Sequence, residues 1–500
     1  MIATALFAAL LFPSLAPPAA FQSPAALAPL EKKLRSSDDR ERQEAVKELA
    51  ALDGKFAWDL VVGALKDPSP RVADEAEIAL AQVSDPTISM DLMGKSGMQS
   101  GDAWVAVHAA GALGFAQKPF LPALLAGLQT KSDEAREVLL SGIEDAARGG
   151  RIGLDPERAL AAAIEKSIQP NGKGGTAQAA ALLALAAMEP AQSTAWIARA
   201  EAKQSSPHLC ALLALAADDR SESAKKLFAI GVAHPDRAVR AQAAAVLAAN
   251  PDADRLKLLV DLFAAEKNAR LFWTIDGHLE RLSGLAGGGK VEFWKGWVAK
   301  LGPGWKPVTG DARRYAPAGD TEAPKLAGMP ILSGGIAILV DFSGSTWQKR
   351  PDGTTVKQRL DAELEKALQA LPPSARFNVI PYTNAPISWE KKLATATPAN
   401  VAKALKFFTG CKESGKGNFW DAAMLALEDP DVDTILVLTD GAPTGGRRWN
   451  LDLMRARFVE KNRFRHFVLD AVLVDAKKFL AEKWEGWCGA TGGRVLALDP

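Results

Sequence analysis

The chain has 500 residues, 48% of them hydrophobic and 24% charged, with 60 Lys+Arg against 59 Asp+Glu. Near-average usage excludes a mostly disordered or collagen-like chain. The balanced charge leaves no cationic excess for a phosphate backbone. Three cysteines (Cys210, Cys411, Cys488) are too few and too scattered for a disulfide scaffold, and none of the five histidines stands in a His-Glu-x-x-His zinc arrangement.

No charged side chain precedes Glu31, and Ile2 to Leu15 is almost wholly apolar, followed by Ala16, Pro17, Pro18, Ala19 and Ala20. A short apolar core before a small-residue zone reads as an export signal over residues 1–20. The prolines break the run short of the ~20 apolar residues of a spanning helix, although a retained anchor is the alternative. The expected location is therefore secreted, periplasmic or cell-surface.

Residues 26–300 are rich in Ala and Leu and carry an internal repeat. Asp38-Arg42-Ala45-Leu49 recurs as Asp67-Arg71-Ala76-Leu80, then as Asp102-Ala109-Leu113, and later as Asp236-Arg240-Ala243-Leu247, with Ala181-Leu185 and Ala211-Leu215 marking further copies. Ala four residues before Leu lets neighbouring helices approach on one face, and stacked helix pairs cover stripes that no pair buries alone. Asp is expected at the helix starts, with Pro68 and Pro235 tolerated there. The segments DPSPRVADEAEIALAQV and HPDRAVRAQAAAVLAANPD resemble HEAT-type repeats. That resemblance implies an α-solenoid used as a binding scaffold. Trp294 and Trp297 are placed to cap the end of the array, and the Pro- and Gly-rich residues 301–331 read as a linker.

Beyond residue 332 the periodicity changes. Gly335 to Val340 is a continuous apolar run ending at Asp341, Thr434 to Leu438 ends at Thr439-Asp440-Gly441, and further strands are expected at 377–380, 467–474 and 494–498. Helices between them indicate a doubly wound, mostly parallel α/β sheet. Ligands of such sheets bind beyond the carboxyl ends of the strands, where the strand order reverses. Asp341, Ser343, Ser345 and Asp440 would meet there, as hard oxygen donors suited to Mg²⁺, Mn²⁺ or Ca²⁺.

DFSGS, GNFWDAAMLAL, LVLTDGAPTGG and ATGGRVLAL, in that order, resemble the von Willebrand factor A (vWA) domain. The resemblance implies a Rossmann-like fold over 332–500 and a metal-ion-dependent adhesion site, Mg²⁺ first among its ions. It also implies that the cation accepts a Glu or Asp carboxylate from a protein partner. The family's middle-loop threonine falls on Gly417 here, so Asn418 or a water is expected to fill that ligand position. Trp347, Arg447, Arg448 and Trp449 follow the metal loops and suit a partner-binding rim. Trp420 is read as packing, and a Cys411–Cys488 disulfide as the lesser alternative to free thiols. Together these features define an exported, non-enzymatic binding or scaffold protein, with the array as a second interaction surface. Two other readings remain: a cation that only stabilises its loops, and a metal-dependent hydrolase, which lacks a general base apart from the metal-binding aspartates.

Overall fold

The computed structural model describes residues 24–52, 54–152, 158–169, 172–302, 304–308, 325–326, 329–350 and 352–498. The expected export signal, 1–20, lies outside the described residues. No helix among the described residues is long and apolar enough to cross a membrane.

The chain divides into two compact units. One runs to Leu215 and also takes in Arg447–Glu460; the other holds Ala216–Gly446 and the residues from Lys461 onward. Seventeen α-helices from Pro24–Leu34 to Val291–Val298 form the helical array among the described residues. Its repeat signature marks the buried stripe: Ala45, Leu49, Ala76, Ala109, Ala181, Leu185, Ala243 and Leu247 are at most 0% exposed. Asp38, Asp102 and Asp236 cap helices as expected, each accepting a backbone N–H of the first turn. Asp67 does not: Ser69 stands at that cap and Pro70 opens the helix, while the Asp67 carboxylate takes both Arg42 Nε (2.8 Å) and Arg42 Nη2 (2.9 Å). The same link recurs in the second unit, where Arg240 grips Glu266 through two bonds of 2.8 Å. Small residues set the closest helix approach. A Cβ at Gly142 would lie 2.3 Å from the Gly114 carbonyl carbon, so only glycine permits that crossing.

Trp294 caps the array's last helices: it is fully buried, and its Nε1 donates to Asp276 Oδ1 at 2.6 Å. Parts of the expected linker, 301–331, are among the described residues. Lys325–Leu326 pairs antiparallel with Met329–Pro330, and Met329 and Ile331 join the core of the sheet domain, because their apolar side chains find cover there.

The sheet contains β1 (Gly335–Asp341), β2 (Arg376–Tyr382), β3 (Ala394–Thr395), β4 (Thr434–Thr439), β5 (Val468–Val474) and β6 (Val495–Leu498). Their spatial order is β3-β2-β1-β4-β5-β6, parallel throughout except for β3. Alternate residues of β1 serve opposite faces. Ile336, Ile338 and Val340 pack with Leu360, Leu364 and Phe408 in one cluster, while Ala337 and Leu339 are equally buried on the other face. Burial on both faces explains the unbroken apolar runs. The order reverses between β1 and β4, which register Val340 against Leu438. The crevice beyond their carboxyl ends is the position where such folds bind ligands. The array's last helices belong to this unit: on the helix Ala269–Ser283, Arg270 donates from Nη2 to Asp470 Oδ2 (2.8 Å) and from Nε to Thr434 Oγ1 (3.0 Å), and the preceding Asn268 donates to Asp433 (2.7 Å). Among the described residues Cys210, Cys411 and Cys488 form no disulfide.

Candidate metal centre

Asp341 is the last residue of β1 and Asp440 follows the end of β4, so the pairing of the two strands delivers both carboxylates to one crevice. Asp341 is 1% exposed. Its Oδ1 accepts the Ser343 N–H (2.7 Å) and its Oδ2 accepts the Thr439 hydroxyl (2.7 Å). Ser343 Oγ lies 3.1 Å from Ser345 Oγ, and the Ser345 hydroxyl acts to lower the Asp440 carboxyl. Asp341, Ser343, Ser345 and Asp440 thus gather their oxygens at one crevice.

The electrostatics are unfavourable without a cation. Burial first, then the charge of Asp440, push the Asp341 carboxyl up to about 6 against the lowering hydrogen bonds from Thr439 and Ser343. Burial also raises Asp440, with Asp475 adding negative charge and Ser345 opposing. Two partly desolvated carboxylates with two hydroxyls, all hard oxygen donors, fit a small divalent cation and offer too few protein ligands to enclose it.

The third segment also arrives. Gly344 N–H donates to Gly415 O (2.8 Å), and Thr444 N–H donates to Gly417 O (3.0 Å). A Cβ on Gly417 would lie 3.5 Å from Ser343 Cβ, so the middle loop reaches the metal loop where the family's threonine is expected. Asn418 follows in the same loop. Its Oδ1 caps the helix Phe419–Ala426 by accepting Asp421 N–H (3.2 Å), and its Nδ2 donates to Asn384 O (3.0 Å) and Asp421 Oδ2 (2.9 Å). These bonds fix the loop and leave the amide oxygen a second lone pair.

Sequence reasoning missed Thr439, whose hydroxyl supports Asp341, and Thr444, whose Oγ1 accepts the Gly417 N–H at 2.8 Å and lies 3.6 Å from the Cβ position of Gly417. It also missed Tyr382, registered against Asp341 and raised well above the usual phenol range by burial and by Asp341. A hydroxyl immediately before the strand-ending Asp440 was the available signal for Thr439.

The expected rim divides. Trp347 is 37% exposed, its Nε1 donating to Phe342 O at 3.3 Å. Arg448 is 0% exposed and bound to Asp74 and Glu77 within the first unit, so it cannot meet a partner's surface. Trp449 is half-buried with Arg71 4.0 Å over its ring, and Arg447 gives its carbonyl to Trp104 Nε1 (2.9 Å). Trp420, at 2% exposure, packs as expected.

No protein-family model matches the chain. The human inter-alpha-trypsin inhibitor heavy chain H4 is 31% identical over 144 residues, 26% of this chain, and the chain spans only 14% of that protein's length. The mouse heavy chain 4 is likewise 31% identical, over 130 residues, covering 24% of this chain and 13% of its own. Among solved structures, the SpRpn10 VWA domain covers 33% of this chain and 87% of its own at 16% identity, with a TM-score of 0.26. The C-terminal third of the chain is a von Willebrand factor A-like domain. Before it runs a long helical array, and the chain as a whole joins that array to the six-stranded, mostly parallel sheet.

Proposed function

We propose that this vWA-like domain binds a divalent cation, Mg²⁺ first, through Asp341, Ser343, Ser345 and Asp440, and that the cation accepts a Glu or Asp carboxylate from a protein partner. The observation that carries the reading is the pair of neighbouring carboxylates at the strand ends, Asp341 buried and raised by burial and by the charge of Asp440, with the Ser343 and Ser345 hydroxyls beside them. A divalent ion relieves that repulsion, and a vertex not filled by the protein stays open to a ligand. The Thr444 hydroxyl, beside Gly417, supports or replaces the threonine of the family, directly or through a water. Asn418 holds the loop. Trp347 is the rim residue free to meet a partner.

In this reading the protein is an exported, non-enzymatic binding or scaffold protein. The array is a HEAT-like solenoid offering a second surface, a reading supported by the recurring Arg42–Asp67 and Arg240–Glu266 links. The test is calorimetric titration of Mg²⁺ and Mn²⁺ into EDTA-stripped protein, followed by partner capture with and without EDTA. Wild type is expected to bind one ion, and Asp341→Ala to bind none. Capture indifferent to both EDTA and Asp341→Ala would reject the cation mechanism.

A further inference from the structure

We propose that Trp484 is a positioning residue of the cation site: its indole N–H, held against the Gly441 carbonyl, fixes the loop on which Asp440 stands and, through Thr439, the carboxylate of Asp341. The inference rests on the cation reading above and extends it to a side chain one step behind the ligands.

The links run in one line. Trp484 Nε1 donates to Gly441 O at 2.8 Å. Gly441 N–H donates to Thr439 Oγ1 (3.0 Å), and the Thr439 hydroxyl donates to Asp341 Oδ2 (2.7 Å). The Thr439 oxygen thus accepts from Gly441 and spends its single proton on Asp341. Chained hydrogen bonds polarise one another, so the first bond strengthens and aims those after it. The peptide group that Trp484 grips ends in the Ala442 N–H, which acts on the Asp440 carboxylate and favours its charged form. Gly441 stands at φ +113°, where a side chain would be strained. The loop has no side chain there to anchor it, and the two hydrogen bonds of Gly441 take that part.

The helix Lys478–Ala490 brings the indole to this place. Leu480, Trp484 and Trp487 recur on one face at helical spacing, and all three are buried. Leu480 Cβ lies 3.4 Å from where a Cβ on Gly441 would stand. One turn on, the Trp484 and Trp487 rings stack, with centres 5.1 Å apart and planes at 18°. The Phe419 ring meets both edge-on, at 5.0 and 5.1 Å. Phe419 opens the helix that follows the middle loop, and a further neighbour of its ring, Tyr382 (6.3 Å), is registered against Asp341. The cluster thus backs all three segments that reach the crevice. Packing needs only the rings, whereas the Trp484 N–H is spent on a metal loop.

The probe is Mn²⁺, titrated into the EDTA-stripped full-length chain and read by electron paramagnetic resonance, with thermal melts in EDTA alongside. Trp484→Phe keeps a ring in the stack and removes the donor, and it is expected to weaken Mn²⁺ binding about 10-fold or more. Trp487→Phe trims the other ring of the same stack and leaves the Gly441 bond in place. It is expected to bind Mn²⁺ as wild type does, whatever it does to the melting temperature in EDTA. Trp484→Phe binding as tightly as wild type, or an affinity that follows the melting temperature in both variants alike, overturns the inference while wild-type binding upholds the cation reading. Wild type that binds no Mn²⁺ removes both. Should Trp484→Phe not fold by circular dichroism, Trp484→Met, a flexible filler of the same gap, takes its place with the same expectation. Failure of both to fold overturns the inference, because the core then needs the indole before the loop does.

Discussion

Asp341→Asn should make the metal-free protein more stable, not less. In the fold Asp341 titrates at about 6, against about 3.9 in an unfolded chain. Its ionised form is therefore disfavoured by folding. The sign follows: between pH 4 and 6 the folded state holds the extra proton, so stability falls as pH rises through that window and stays low above it. A two-unit displacement corresponds to about 3 kcal/mol at 1.36 kcal/mol per unit, undiluted by solvent because the residue is buried. Asparagine keeps an acceptor for the Ser343 N–H and removes the repulsion from Asp440. Thermal melts in EDTA at pH 7.5 should then place the variant roughly 5–10 °C above wild type, and melts at pH 4 should bring the two together. With Mg²⁺ at 100 times its dissociation constant, wild type regains about 2.7 kcal/mol while the variant gains nothing. A variant no more stable than wild type in EDTA at pH 7.5, with wild type indifferent to Mg²⁺, refutes the reasoning.

Other perturbations follow from particular contacts. Thr444→Val should weaken Mn²⁺ binding, read by electron paramagnetic resonance, by about 10-fold; Gly417→Thr should strengthen it, since a Cβ there meets its neighbours at ordinary distances of 3.4–3.6 Å. Arg270→Met strands Asp470, which is 3% exposed, and should cost about 3–5 kcal/mol in urea denaturation. Most of that loss should return in Arg270→Met/Asp470→Leu; no recovery in the double variant would show that the packing of the Arg270 stem, not the charge, sets the cost. Gly142→Ala forces a Cβ to 2.3 Å from the Gly114 backbone and should lower the urea midpoint by an amount equivalent to about 1–3 kcal/mol or more.

The sheet domain was legible because its strands are buried on both faces and end in acids. An apolar run such as Gly335–Val340 has few other uses, and its terminal Asp341 marks the ligand end. The array was legible through Ala-x-x-x-Leu, because a stacked helix must keep one face small. Leu215 departs from that stripe and is only half-buried, at the end of its helix. Capping was read less well. Asp67 looks like any other helix-starting Asp, and only the partner that Arg42 finds in space shows that Ser69 takes the cap. Arg448 was misread for the same reason. It sits beside the Asp440 loop in sequence, but no local pattern shows that Asp74 and Glu77, far upstream, take its guanidinium. Asn418 was read by chemistry alone, and its capping of the helix beginning at Phe419 had no separate signal in the sequence reading.

One rule connects these outcomes: a buried carboxylate persists where the fold supplies what balances it. Glu77 illustrates the rule. Burial alone would raise it, yet Arg448 and Arg457 beside it, with the His108 hydrogen bond, hold it well below the usual carboxylate range. Asp470 has Arg270, and Asp433 has the hydroxyls of Ser333 and Thr434 with the Asn268 amide. Asp276 has the neutral donors Trp294 and Gly289, and burial, with Glu280 adding negative charge, raises it. Asp341 is raised in the same way, and its second carboxylate, Asp440, lies in the same crevice at the ligand end of the sheet. A fold selected for stability alone would remove one of the two. Keeping both, at the point where the strand order reverses, is the pattern of a site whose balancing charge arrives from solution, and it is why the metal-free protein should gain stability when Asp341 is neutralised.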